Sequence, residues 1–73
     1  MSFDYSKLRG RIIEKYGSVR GFSEHTRIGY PAVIRKMAGE TKFSQEDIME
    51  WCNLLEIELV DVPLFFLNES SNA

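Results

Sequence analysis

Between Gly17 and Gly39 the chain reads GSVRGFSEHTRIGYPAVIRKMAG: two short helical segments bracketed by glycines, with a tight connection between them. Ser18 is placed to cap a first helix, about Val19 to His25, that turns Val19 and Phe22 inward. Thr26-Arg27-Ile28-Gly29 forms the turn, with Ile28 as the plug between the two helices. Tyr30-Pro31 then opens a second helix that buries Val33 and Met37 and is stopped by Gly39. A first helix this short, with Gly21 inside it, does not persist alone, so the remaining chain must pack around the pair. This is the pattern of a helix-turn-helix, whose second helix normally turns its outward face to the DNA major groove. That face collects Tyr30, Pro31, Ile34, Arg35 and Ala38, away from Val33 and Met37.

The flanking segments supply the packing. Asp4 is expected to cap a helix running to about Tyr16, with Phe3 and Leu8 forming a hydrophobic staple at its entry. Tyr5, Leu8, Ile12 and Tyr16 recur on one stripe of that helix, while Lys7, Arg11, Glu14 and Lys15 point mostly away. Gly10 inside it costs about 1 kcal/mol against Ala and suits a site of close backbone approach. After the link Glu40-Thr41-Lys42, the run Phe43-Ser44-Gln45-Glu46-Asp47-Ile48 signals a second strong helix start. Ser44 is its N-cap, Glu46 and Asp47 lie in the first turn, and Phe43 and Ile48 form a staple. Ile48, Trp51, Cys52 and Leu55 share the inner stripe, which makes Trp51 a core anchor and Cys52 a buried, inert thiol. Ile57 to Leu67 reads as one or two helical turns bent at Pro63, with Leu59, Val62 and Phe66 closing the core. Leu64-Phe65-Phe66-Leu67 is open to two readings, core or a second contact surface. Residues 1–67 form one all-α domain of four or five short helices, and 68–73 a disordered polar tail.

Charge is segregated along the chain. All nine Lys and Arg lie in residues 1–43 with four acids, whereas residues 44–73 hold seven acids and no base, for a net −2 overall. The basic part is compatible with a nucleic-acid surface; the acidic part would be repelled by phosphates and suits a cationic protein partner. One cysteine and one histidine, His25, cannot assemble a disulfide or a Cys/His metal cluster, and His25 reads as a solvated residue near a helix C-terminus. No nucleophile and base set, phosphate loop or metal spacing is present, so neither an enzyme, a cofactor nor a small-molecule ligand is expected. The longest uncharged apolar run, Val62 to Leu67, is too short to span a bilayer, and the N-terminus lacks signal-peptide order. A cytoplasmic protein is expected.

Phe22-Ser23 in one helix, Ile28 in the turn, Val33 and Met37 in the next and Gly39 after it resemble the Cro/CI-type (XRE) helix-turn-helix family, across nearly the whole chain. FDYSKLRGRI at the start, the run KF-SQEDI and the late VPLFF look like a group of small Cro-like phage proteins, antirepressors that modulate repression. The resemblance implies a compact four- to five-helix lambda-repressor-like domain. It also implies partnership with the N-terminal, DNA-binding domain of a phage CI repressor in the lysis–lysogeny switch of a bacterial host. Three positions depart from the family pattern: Ser23 replaces the usual Ala, Arg27 the usual turn Gly, and Gly29 the usual polar cap. If Arg27 keeps the glycine conformation it is strained at positive φ; otherwise the turn is reshaped.

The outward face is poor in base readers, with one Arg and no Asn or Gln. Tyr30, Pro31, Ile34, Arg35, Arg27 and Ala38 read better as a partner-binding face, with Tyr30 and Ile34 at i and i+4 suiting helix-in-groove docking. Tyr30 has a second reading as a lid on the core beside Met37. The alternative function is a Cro-like DNA-binding repressor, dimeric on a palindromic site. Arg20, Arg27, Arg35, Lys36 and Lys42 would then hold the DNA backbone, with Arg35 also reading a base.

Overall fold

The computed structural model describes residues 3–67. The chain forms α1 (Ser6–Tyr16), α2 (Val19–Ser23), α3 (Tyr30–Met37), α4 (Gln45–Leu55), a single 3-10 turn (Leu59–Asp61) and α5 (Val62–Phe66), with no strand among the described residues. The all-α expectation holds; the tail expectation for 68–73 lies outside the described residues.

α1 starts later than its sequence suggests. Tyr5 is the N-cap, and Asp4, one residue further out, accepts hydrogen bonds from the Ser6 amide (2.9 Å) and hydroxyl (2.7 Å). The staple positions therefore fall to Asp4 and Arg9 instead of Phe3 and Leu8. Phe3 lies 44 % exposed, its ring near that of Tyr5. Gly10 has open space where a Cβ would stand; the close approach belongs to Gly21, whose Cβ would lie 3.0 Å from the Tyr16 carbonyl oxygen. Gly17, at φ 82°, ends α1 in the left-handed conformation that favours glycine. Ser18 caps α2 by accepting from the Gly21 amide, as its position predicts.

The core is a chain of aromatic rings around Trp51. Its indole meets Phe22 (4.8 Å between ring centroids) and Phe43 (4.9 Å) edge-on, and Phe43 in turn meets Phe66 at 5.1 Å. Leu8, Ile12, Val33, Leu55 and Ile57 fill the space around the rings. Phe65 and Phe66 are both buried, whereas Leu64 and Leu67 are exposed, so the late apolar run divides between core and surface. Leu59, expected in the core, is exposed because the 3-10 turn carries it outward. Pro63 lies in the first turn of α5, where its missing N–H costs nothing, so it opens the helix instead of bending it.

The C-terminus of α4 is closed by side chains of α1. The Leu55 and Glu56 carbonyls accept from the Arg11 guanidinium (2.9 and 3.2 Å), and the Leu54 carbonyl accepts from the Tyr16 hydroxyl (2.9 Å). Glu56 then turns at φ 56°, the only positive φ of a non-glycine residue among those described, and its carboxylate meets Lys15 at 2.9 Å. The turn delivers Ile57 to the core, its amide donating to the Cys52 carbonyl.

Candidate functional site

α3 stands between two anchors. At its start, the Thr26 hydroxyl bonds to the Ser23 carbonyl (2.8 Å) and the Ile28 carbonyl (2.6 Å), fixing the connection from α2. Arg27 is not at positive φ, so the turn is reshaped relative to one built on glycine. Its backbone amide donates to Glu50 of α4 at 2.9 Å, a bond open to any non-proline residue here, and what Arg adds over a turn glycine is a guanidinium that reaches Asp47 and Glu50. At the other end, Gly39 at φ 83° stops the helix as its position predicts.

Asp47 is the electrostatic centre of the region. It is 2 % exposed, and its carboxylate receives the Arg27 guanidinium, the Lys36 ammonium (2.8 Å) and the Ser44 amide (2.9 Å). The Ser44 hydroxyl accepts from the Asp47 amide in return, completing a capping box at the start of α4. Burial alone pushes this carboxyl up; the hydrogen bonds from Lys36 and Ser44 and the Lys36 charge outweigh that, so it lies below the ordinary carboxylate range. Lys36 also donates to the Lys42 carbonyl (2.8 Å) and is nearly covered. Glu50 adds a looser contact to Arg27 at 3.8 Å. The sequence marked Asp47 as a helix-start residue, but the pairing with two cations from another element had no local signal.

The nominated residues divide accordingly. Pro31, Ile34, Arg35 and Ala38 are exposed together on the outer side of α3, Ile34 at 36 %. Tyr30 is half-buried against the core, and the Arg20 guanidinium lies 4.3 Å from its ring centroid, so the two residues form one stacked unit. Ala38 also edges a depression of about 520 Å³, beside Lys42 and against Tyr5 and Phe43. Of the five cations nominated for a DNA backbone, Arg27 and Lys36 are paired to acids, whereas Arg20, Arg35 and Lys42 have no ion pair among the described residues. The segregation of charge seen along the chain is thus only partly offset in space, where Lys15, Arg27 and Lys36 each meet an acid of α4 or its C-cap.

Other chemistry is sparse. Burial pushes the Cys52 thiol up, away from the reactive thiolate. His25 is exposed and stacks near Tyr16. No cluster able to hold a metal ion occurs among the described residues, and none of their helices is long and apolar enough to cross a membrane.

A family model described as "Protein of unknown function (DUF739)" matches residues 1–69. The chain belongs to the DUF739 family. No curated protein matches it. Among solved structures, this DUF739 chain is similar to the modulator of repression (MOR) of the temperate bacteriophage TP901-1 from Lactococcus lactis, known from its solution structure. The two are 31 % identical, the match covers 93 % of this chain and 92 % of the other, and the TM-score is 0.82. The DUF739 chain therefore has the MOR fold along nearly its whole length.

Proposed function

We propose that this chain is a phage regulatory protein, an antirepressor of the lysis–lysogeny switch acting in the cytoplasm of the bacterial host. Its likeness to a modulator of repression supports the regulatory role. In this reading α2, the reshaped turn and α3 are a Cro/CI-type helix-turn-helix turned to a different use. Its outer face binds the N-terminal DNA-binding domain of the phage CI repressor and blocks or alters operator binding.

The observation that carries this choice over DNA binding is the Asp47 cluster. Strong operator binders make roughly 6–10 phosphate contacts. Here Asp47 holds Arg27 and Lys36 through charge-assisted hydrogen bonds, leaving Arg20, Arg35 and Lys42 for that purpose. What stands outward on α3 is Ile34 and Pro31 beside Arg35, with Tyr30 stacked under Arg20, a mixture of apolar and arginine surface that suits a protein groove. Mixing the chain with the cognate repressor domain is expected to give a heterocomplex by size-exclusion chromatography and calorimetry. Ile34→Asp abolishes it while leaving the helical circular dichroism unchanged. No complex at micromolar concentrations overturns the reading.

The three unpaired cations favour the second reading, a Cro-like repressor. A gel shift against the phage switch region at two salt concentrations separates the two: tight, sequence-selective and steeply salt-dependent binding by the chain alone selects the repressor.

A further inference from the structure

The outer face of α4 is unlike the face of α3. Glu46, Met49, Glu50 and Asn53 fall at i, i+3, i+4 and i+7, one stripe turned away from the core residues Trp51, Cys52 and Leu55. Met49 and Leu59 line one shallow depression of about 470 Å³, with Glu50, Cys52 and Asn53. The 3-10 turn sets Val60 next to Leu59. Met49 is 54 %, Leu59 64 % and Val60 79 % exposed, a local concentration of large apolar side chains in a chain of this size. The chain has no Lys or Arg from Ser44 to Leu67. Cations from other elements reach Asp47, Glu50 and Glu56, whereas Glu46 and Glu58 have no ion pair among the described residues.

We infer that Met49, Leu59 and Val60, rimmed by Glu46 and Glu58, form a second docking surface, for a protein segment that carries large apolar side chains flanked by Lys or Arg. Charge complementarity selects this occupant. The rim repels nucleic acid and anionic lipid, and it also repels an acidic peptide; a basic amphipathic segment satisfies both the apolar depression and the carboxylates around it. The surface does not depend on the α3 face or on the identity of the partner proposed there.

The test is an NMR titration of the isotope-labelled full chain with three short synthetic peptides: an amphipathic leucine–lysine peptide, its leucine–glutamate counterpart, and a serine–lysine peptide of the same charge. The leucine–lysine peptide is expected to shift the amides of Met49, Asn53, Leu59 and Val60 in a saturable manner, with affinity falling as salt is raised. The other two peptides bind at least about tenfold more weakly. Met49→Lys combined with Leu59→Lys removes the binding with the circular dichroism unchanged, and Ile34→Asp leaves it intact. Saturable shifts confined to α3, equal binding of the serine–lysine peptide, or no saturation below about 1 mM would each overturn the inference.

Discussion

Asp47→Asn keeps the size and most of the shape of the side chain while removing the charge that Arg27 and Lys36 share. Losing one partner of a buried ion pair costs about 3–5 kcal/mol, since the other charge is left without compensation. Two features reduce that figure here. The Arg27 side chain is 47 % exposed and can turn to water, so its share is small, and Asn retains an oxygen for the Ser44 amide. Lys36, at 14 %, reaches water only by swinging out of its present site, so it keeps most of the penalty. The expected loss is about 2–3 kcal/mol, a large part of the roughly 4–11 kcal/mol available to a domain of this size. At about 4–8 °C per kcal/mol, the thermal midpoint should fall by about 8–24 °C, followed by the fluorescence of the single Trp51 or by circular dichroism. Below that midpoint the variant also has freer cations. Binding to non-specific duplex DNA should therefore become steeper in salt, the slope of log K against log salt rising in magnitude by up to about 1.8 for two phosphates gained at about 0.9 each. A midpoint within about 2 °C of the parent, or an unchanged slope in a folded variant, would refute the idea that this carboxylate withdraws two cations from the surface.

Three further outcomes follow from the same structure. Because the Asp47 carboxyl is lowered in the folded state, its contribution is present above the ordinary carboxylate value of about 3.9 and disappears as the pH falls through its native value; Asp47→Asn should flatten that acid limb in a pH series of unfolding midpoints. Gly10→Ala, in an exposed helix interior with nothing near the new Cβ, should stabilise by about 0.5–1 kcal/mol in urea unfolding, and a loss would mean the backbone there is not helical. Arg11→Met strips the Leu55 and Glu56 carbonyls of their donor and should cost about 1–2 kcal/mol in the same assay, with retained secondary structure.

Local patterns were legible where one element carries the whole signal. Ser44, Asp47 and the apolar stripe through Trp51 marked α4, and Ser18 and Gly39 marked the ends of α2 and α3, because caps and periodicity act within a few residues. The failures were of another kind. Asp4 and Tyr5 differ by one position as a starting point for α1, and Asp4 bonds to Ser6 two residues on while the Tyr5 ring meets Phe43, a contact from a distant segment that the local sequence does not signal. Leu59 looked like core because its hydrophobicity was read without the left-handed turn at Glu56 that redirects the chain. At the site, Ile34, Pro31, Arg35 and Ala38 were readable as one outer face from spacing alone. The fate of Arg27 and Lys36 was not, since their partner lies on the next helix and ion pairs across elements leave no periodic trace.

The double duty of Asp47 also bears on how such a chain can change over generations. A lineage gaining affinity for DNA by the shortest route would discard this residue and release Arg27 and Lys36, but the same substitution loosens the start of α4. With a small stability margin, that step is tolerated only after compensating changes elsewhere, of which Gly10→Ala is one the backbone already permits. The order of substitutions is thereby constrained: stability first, new affinity second.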